Sequence, residues 1–256
     1  MTDRILVLGG TTEARQLAGK LAAKYEVTLS LAGRTRDPVP QGVPVRVGGF
    51  GGVEGLAAYL RDNRIKLLID GTHPYAANIS ANAAQAAQLT GVPAIALRRP
   101  PWEQNPGDRW TLVGNATEAA ALLGTTPRKI FLALGRQELA PFEAAPQHAY
   151  LIRSVDPVEP PLAVPHATYI PARGPFSEVD DCALLKAHGI DVIVAKNSGG
   201  DATYGKIAAA RQLGIEVFLI RRPSLPDLPS GADVEEVLRL ADHVLTPGPG
   251  PEKRGV

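Results

Sequence analysis

Two groups of residues in this chain have the types and spacing needed to hold anions. The first opens at Gly9-Gly10-Thr11-Thr12-Glu13, directly after Ile5-Leu6-Val7-Leu8. A strand, a glycine turn and a helix start present free backbone N–H groups and the positive end of a helix dipole to a pyrophosphate. The third glycine of the G-x-G-x-x-G pattern is missing, so a plain turn capped by Thr11 or Thr12 stays open on this motif alone. The end of the second apolar run weighs on the choice. It reads Leu31-Ala32-Gly33-Arg34-Thr35-Arg36, with no carboxylate to accept hydrogen bonds from a ribose diol. Arg34, with Thr35 and Arg36 beside it, offers a fork suited to a 2′-phosphate, so the cofactor expected here is NADPH. A third piece, Asp70-Gly71-Thr72-His73-Pro74-Tyr75, follows another apolar run. Thr72 is expected to cap the next helix and Pro74 to sit in its first turn. The expected cofactor set is therefore Gly9, Gly10, Thr11, Thr12, Glu13, Gly33, Arg34, Thr35, Gly71, Thr72 and His73. His73 and Tyr75 are the candidate proton donors, with Tyr204 and a bound water as further candidates; a structural role for His73 stays open beside that reading.

The second group is cationic. It consists of Arg136, Arg153, the turn Ala172-Arg173-Gly174-Pro175-Phe176, and Lys196-Asn197-Ser198-Gly199-Gly200 with Lys206 ten residues beyond Lys196. Fixed cations and free N–H groups at neighbouring strand ends suit a substrate with several carboxylates. A single phosphate on the Ser-Gly-Gly turn is the competing reading. The expected substrate contacts are Tyr75, Arg136, Arg173, Gly174, Lys196, Asn197, Ser198, Gly199, Gly200 and Lys206. A second dinucleotide helix is not expected, because Gly135-Arg136-Gln137-Glu138 is followed by Pro141 and Pro146.

These residues need a frame. Runs rich in Val, Ile and Leu recur at 5–8, 27–31, 66–69, 94–97, 130–134, 150–152, 192–195 and 217–220, with helical stretches between most of them. Strands apolar on both faces and separated by helices call for a parallel sheet covered on both sides, an α/β fold. The helix predicted over 76–89 carries no charge, and its Asn78, Asn82 and Gln85 stripe suggests shielding from water on more than one side. The stretch from Ile65 through Leu97-Arg98-Arg99-Pro100 has a counterpart from Ile190 through Ile220-Arg221-Arg222-Pro223. Helices around 56–60 and 179–185 also correspond, the latter with Ser177 and Asp180 as a capping box. Two similar Rossmann-like parallel-sheet domains from an internal duplication are expected, residues 1–125 and 126–246, with a ligand cleft between them and a disordered tail at 247–256. The segment Trp110-Thr111-Leu112-Val113 suits either sheet, which leaves the boundary soft there.

Composition narrows the function. The 27 basic and 26 acidic side chains nearly cancel, so no global field draws the chain to nucleic acid or an anionic membrane. The only cysteine, Cys182, has no partner for a disulfide within the chain, and no Cys/His spacing suggests zinc. Residues 5–8 are too short an apolar stretch for a signal peptide or a spanning helix, so a cytoplasmic protein is expected. No Ser-His-Asp or paired-carboxylate arrangement can be placed, which argues against hydrolysis.

Taken together, Gly9-Gly10-Thr11-Thr12-Glu13, Asp70-Gly71-Thr72-His73-Pro74-Tyr75-Ala76, Ala172-Arg173-Gly174-Pro175-Phe176 and Lys196-Asn197-Ser198-Gly199-Gly200 with Lys206 resemble the precorrin-6A reductases and their cobalt-precorrin-6A counterparts. The resemblance runs from Ile5 to about Val244. It implies NADPH, reduction of the C18–C19 double bond of precorrin-6A to precorrin-6B, and a place in cobalamin biosynthesis, with neighbouring pathway enzymes as partners to test. The residues alone leave two alternatives: an NADPH-dependent reductase of another polycarboxylate, and a nucleotide-sensing module without chemistry.

Overall fold

A computed structural model describes residues 2–33 and 39–246. Its strands are β1 (Arg4–Leu8), β2 (Glu26–Leu31), β3 (Val45–Val47), β4 (Ile65–Asp70), β5 (Ala94–Leu97), β6 (Arg109–Val113), β7 (Lys129–Ala133), β8 (Ala149–Ser154), β9 (Ala167–Pro171), β10 (Val192–Lys196), β11 (Glu216–Ile220) and β12 (Ser230–Gly231). The helices are α1 (Thr12–Leu21), α2 (Gly52–Asp62), α3 (Ala77–Thr90), α4 (Ala116–Leu122), α5 (Glu178–His188), α6 (Gly205–Leu213) and α7 (Val234–Leu245). All the apolar runs expected as strands are strands; the short edge strands β3, β9 and β12 had too little hydrophobic pattern to announce themselves.

The chain forms two compact units, each a Rossmann-like α/β domain with a six-stranded parallel sheet. The first sheet has the order β12-β5-β4-β1-β2-β3 and the second β6-β11-β10-β7-β8-β9. Every ladder in both is parallel. Helical crossovers cover both faces, which explains why β1 is apolar without alternation. Ile5 and Val7 pack with Leu17 of α1 and Val237 of α7, while Leu6 and Leu8 pack with Leu56 and Leu60 of α2 and Ala83 and Ala86 of α3. Each of the fully buried Ile, Leu and Val side chains contributes roughly 1.5–3 kcal/mol. In the second unit, Phe131, Ile193 and Leu219 pack against Leu185 of α5 and Ile207 of α6.

The expected division at residue 125 is corrected. The first unit comprises residues 1–99 with 223–256, and the second comprises 100–222. The repeat itself survives, but the last strand and helix of each copy are exchanged. β6 and α4 close the second unit, with Trp110 opposite Val217, whereas β12 and α7 close the first, with Gly231 opposite Leu97. An edge strand makes a single ladder, so its sequence does not reveal which of two similar sheet edges it joins. The tail at 247–256 lies outside the described residues.

Candidate active site

In each sheet the strand order reverses between the two central strands, at β1/β4 in the first unit and β7/β10 in the second. Ligands of open α/β sheets bind outside the carboxyl ends of strands at such a point. Most of the residues singled out from the sequence lie at these two places.

At the β1/β4 edge, Thr11 is the N-cap of α1. Its Oγ1 accepts from the Ala14 N–H at 3.1 Å and donates to the Gly71 carbonyl at 2.9 Å. One hydroxyl thus ends the helix and ties the β1–α1 turn to the end of β4. Gly71 must be glycine, since a Cβ there would lie 2.9 Å from the Ala14 Cβ. Gly10 has φ +117° and open space where its Cβ would stand. Gly9 packs so closely on β2 that a Cβ would come within 2.6 Å of Leu29 Cδ1. The N–H groups of Gly10, Thr11, Thr12 and Glu13 donate to no described residue. A helix start with free N–H groups beside an open glycine fits a dinucleotide pyrophosphate.

Glu13 would repel that group, but its Oε1 accepts from Arg99 Nη1 at 2.7 Å, while Oε2 is buried and unpartnered among the described residues. Gly33, with φ +73°, turns the chain at the end of β2 against Val47. Arg34, Thr35 and Arg36 lie outside the described residues.

Thr72 does not cap α3, which begins at Ala77 with Ala76 as an uncapped N-cap. Its Oγ1 donates instead to Asp70 Oδ1 at 2.6 Å, and its N–H reaches the same oxygen at 3.1 Å. Pro74 accordingly sits in the turn before the helix. Asp70 is fully buried. Burial alone would push its pKa up; the Arg98 guanidinium, with hydrogen bonds from Arg98, Ser80 and Thr72, outweighs this and holds it below the usual carboxylate range. His73 and Tyr75 occupy the same turn, half-buried, with ring centroids 5.6 Å apart and His73 Nδ1 accepting from the Tyr75 N–H at 3.3 Å. The polar side of α3 is also corrected: Asn78 and Gln85 are exposed, and one face of small residues, Ser80, Ala83, Ala86 and Ala87, suffices for packing.

At the β7/β10 edge there is no dinucleotide helix. Residues 136–138 and 140–144 form short 3-10 turns, as the prolines require. Lys196, at the end of β10, pairs with Glu138 from the turn after β7, and Glu138 also accepts from the Gly135 N–H at 3.0 Å. Arg136 and Arg173 are exposed. Gly174 lets its turn close on the segment before α6, since a Cβ would lie 3.2 Å from the Ala202 carbonyl. Ser177 caps α5 with Asp180 as expected.

Two expected substrate contacts are placed differently. Asn197 spends its amide on the Trp102 backbone, accepting from its N–H at 2.7 Å and donating to its carbonyl at 2.9 Å. Lys206 is buried, with Nζ on the Thr203 carbonyl at 2.5 Å and 4.8 Å from the Trp102 ring. Loss of water, then the neighbouring Arg153 charge, lower its pKa to about 7 against a raising pull from Asp181. Lys206 therefore lies inside the unit beside Trp102, Arg153 and Asp181, not at the rim. Sequence reading missed Asp70, Arg98, Arg99, Trp102 and Arg222. The repeated Arg-Arg-Pro was the available signal for three of these, since a charged pair kept at equivalent strand ends needs partners.

Residues 4–242 match the model of the family described as precorrin-6x reductase CbiJ/CobK. A precorrin-6A reductase of Sinorhizobium sp is 59% identical over 246 residues, covering 95% of this chain and 94% of the relative. A second, from Rhodobacter capsulatus, is 50% identical over 246 residues, covering 95% and 98%. The solved structure of a CobK precorrin-6A reductase superposes with a TM-score of 0.90 at 50% identity, covering 94% of this chain and 97% of that one. With nearly the whole chain answering to one family model and to relatives aligned over nearly their full lengths, it belongs to the precorrin-6x reductase family.

Proposed function

We propose that the chain catalyses NADPH-dependent reduction of the C18–C19 double bond of precorrin-6A, giving precorrin-6B in cobalamin biosynthesis, in the cytoplasm. The observation that carries the reading is the β1/β4 edge: an open glycine turn, four successive free N–H groups and a capped helix start, all built for a pyrophosphate. Gly9, Gly10 and residues 11–13 would hold the cofactor's phosphates, and Arg34 with Thr35 its 2′-phosphate. When bound, the nicotinamide supplies the hydride that C19 receives, and a proton completes the reduction at C18. No protein nucleophile is required.

The chain's own part is binding and orientation, which supply roughly 7–11 kcal/mol of barrier reduction when reacting groups are well placed. Arg136, Arg173, Gly174, Lys196 and the N–H groups of Gly199 and Gly200 hold carboxylates of the tetrapyrrole, the Ser198 N–H being already donated to the Lys196 carbonyl. Lys196 would then exchange Glu138 for a substrate carboxylate. His73 and Tyr75 are assigned the role of ordering a water that supplies the proton at C18. The test is incubation of the purified protein with NADPH or NADH and with precorrin-6A or its cobalt form. NADPH should be consumed only with the tetrapyrrole present, and the product should carry one added hydride and one added proton. Absence of NADPH consumption with both tetrapyrroles would overturn the reading.

A further inference from the structure

The loop at residues 197–200, after β10, has its carbonyls tied down on one side. Arg222 donates through Nε to the Asn197 carbonyl at 2.8 Å and through Nη2 to the Ser198 carbonyl at 2.9 Å. The indole Nε1–H of Trp102 donates to the Gly200 carbonyl at 2.9 Å. Asn197 completes the clasp with its two hydrogen bonds to the Trp102 backbone. Arg222 also reaches the Pro100 carbonyl at 3.2 Å, so the segment entering this unit and the residue leaving it close on the same loop.

The Asn197 and Ser198 N–H groups donate to the Ile220 and Lys196 carbonyls, whereas those of Gly199 and Gly200 are unused among the described residues. Gly199 and Gly200 both adopt left-handed backbone, φ +66° and +69°, and neither N–H donates to a described residue. Gly199 is buried, and a buried N–H without a partner is rare in a finished fold. Its lack of a side chain is enforced by the clasp: a Cβ would come within 2.1 Å of the Pro100 carbonyl and 2.5 Å of Arg222 Nη2. The Ser198 carbonyl held by Arg222 shares its peptide plane with the Gly199 N–H, which is therefore presented the other way, while Trp102 restrains the next residue through the Gly200 carbonyl; such concavities take anions.

We infer that Arg222 and Trp102 are positioning residues that set this loop for a substrate carboxylate without touching the substrate. The inference rests on the reading of residues 198–200 as a carboxylate site, and it adds what makes that site.

The test compares Arg222→Gln, Trp102→Phe and Gly199→Ala in steady-state reduction of precorrin-6A, with NADPH Kd and thermal unfolding measured alongside. Trp102→Phe keeps an aromatic side chain and the charge while removing the indole donor and part of the ring's bulk, and the thermal unfolding reports any loss of packing. Arg222→Gln and Trp102→Phe are each expected to raise the KM for precorrin-6A about tenfold, with kcat within a few fold and NADPH Kd and Tm unchanged. Gly199→Ala should raise it at least as much. If Gly199→Ala alone raises KM, the carboxylate site stands and the positioning role is wrong. If none of the three changes KM, the carboxylate site itself is wrong and the inference falls with it.

Discussion

Arg98 Nη2 lies 2.5 Å from Asp70 Oδ2, pairing the ends of neighbouring strands β5 and β4 beneath the turn that carries His73 and Tyr75. The carboxylate is 1% exposed and the guanidinium 17%, so neither is well solvated. Removing one charge leaves the other stranded. Asp70→Asn is expected to cost roughly 3 kcal/mol at neutral pH, the low end for breaking a buried pair, because Arg98 keeps some contact with water. The lowered pKa of Asp70 fixes the sign of the pH dependence. Its contribution is present above the ordinary carboxylate range and is lost as pH falls through the lowered value. Chemical denaturation across acidic pH should therefore show a steeper loss in the parent than in Asp70→Asn; parallel curves would remove this role.

Lys206 gives the opposite arm. Its pKa in the folded chain is about 7 and far higher when unfolded, so the unfolded chain binds the extra proton between those values. Stability of the parent should rise with pH from about 7 toward the ordinary lysine range. Lys206→Met, flanked by the retained Arg153–Asp181 pair, should lack that rise. Melting temperatures of both proteins from neutral to alkaline pH decide the matter, and an equal slope in the two would contradict it.

The exchanged helix makes a prediction about where stability is felt. Val237 of α7 is fully buried in the core of the first unit. Val237→Ala should cost roughly 1–3 kcal/mol, the lost methyl groups plus the cavity they leave. Hydrogen exchange should quicken in β1, β4 and β5 while β10 and β11 keep their protection. Faster exchange in β10 and β11 instead would assign α7 to the wrong unit.

Cofactor choice tests the sequence reading at Arg34. Arg34→Ala should weaken NADPH about ten- to a hundredfold, the loss of one charged hydrogen bond at roughly 1.5–3 kcal/mol, and leave NADH nearly unchanged. Equal losses for both, measured as Kd, would withdraw the 2′-phosphate assignment.

If water supplies the proton at C18, as proposed, His73→Ala and Tyr75→Phe should each lower kcat by less than about a hundredfold, because a side-chain acid is typically worth about 10²–10⁴-fold. A larger drop in single-turnover rate, with both ligands still bound, would identify the side chain as the acid.

The local grammar of this protein is written in its sequence. Strands buried on both faces show as unbroken apolar runs, Thr11 and Ser177 mark helix starts by their chemistry, and Pro141 with Pro146 forbids a second nucleotide helix, because each depends only on near neighbours in the chain. The repeat, and with it the presence of two similar sheets, was legible for the same reason. Tertiary structure alone decided which sheet received β6 and which received β12, since two similar edges offer the same ladder to the same strand. It also decided what the polar side chains do. Asn197 faces Trp102 across 95 residues of chain and Arg222 faces Pro100 across 122, while Lys206 is drawn inward against Trp102 and Thr203. A residue's type states what it can bond, but its partner is set by packing that brings distant segments together, and no spacing in the sequence encodes that meeting.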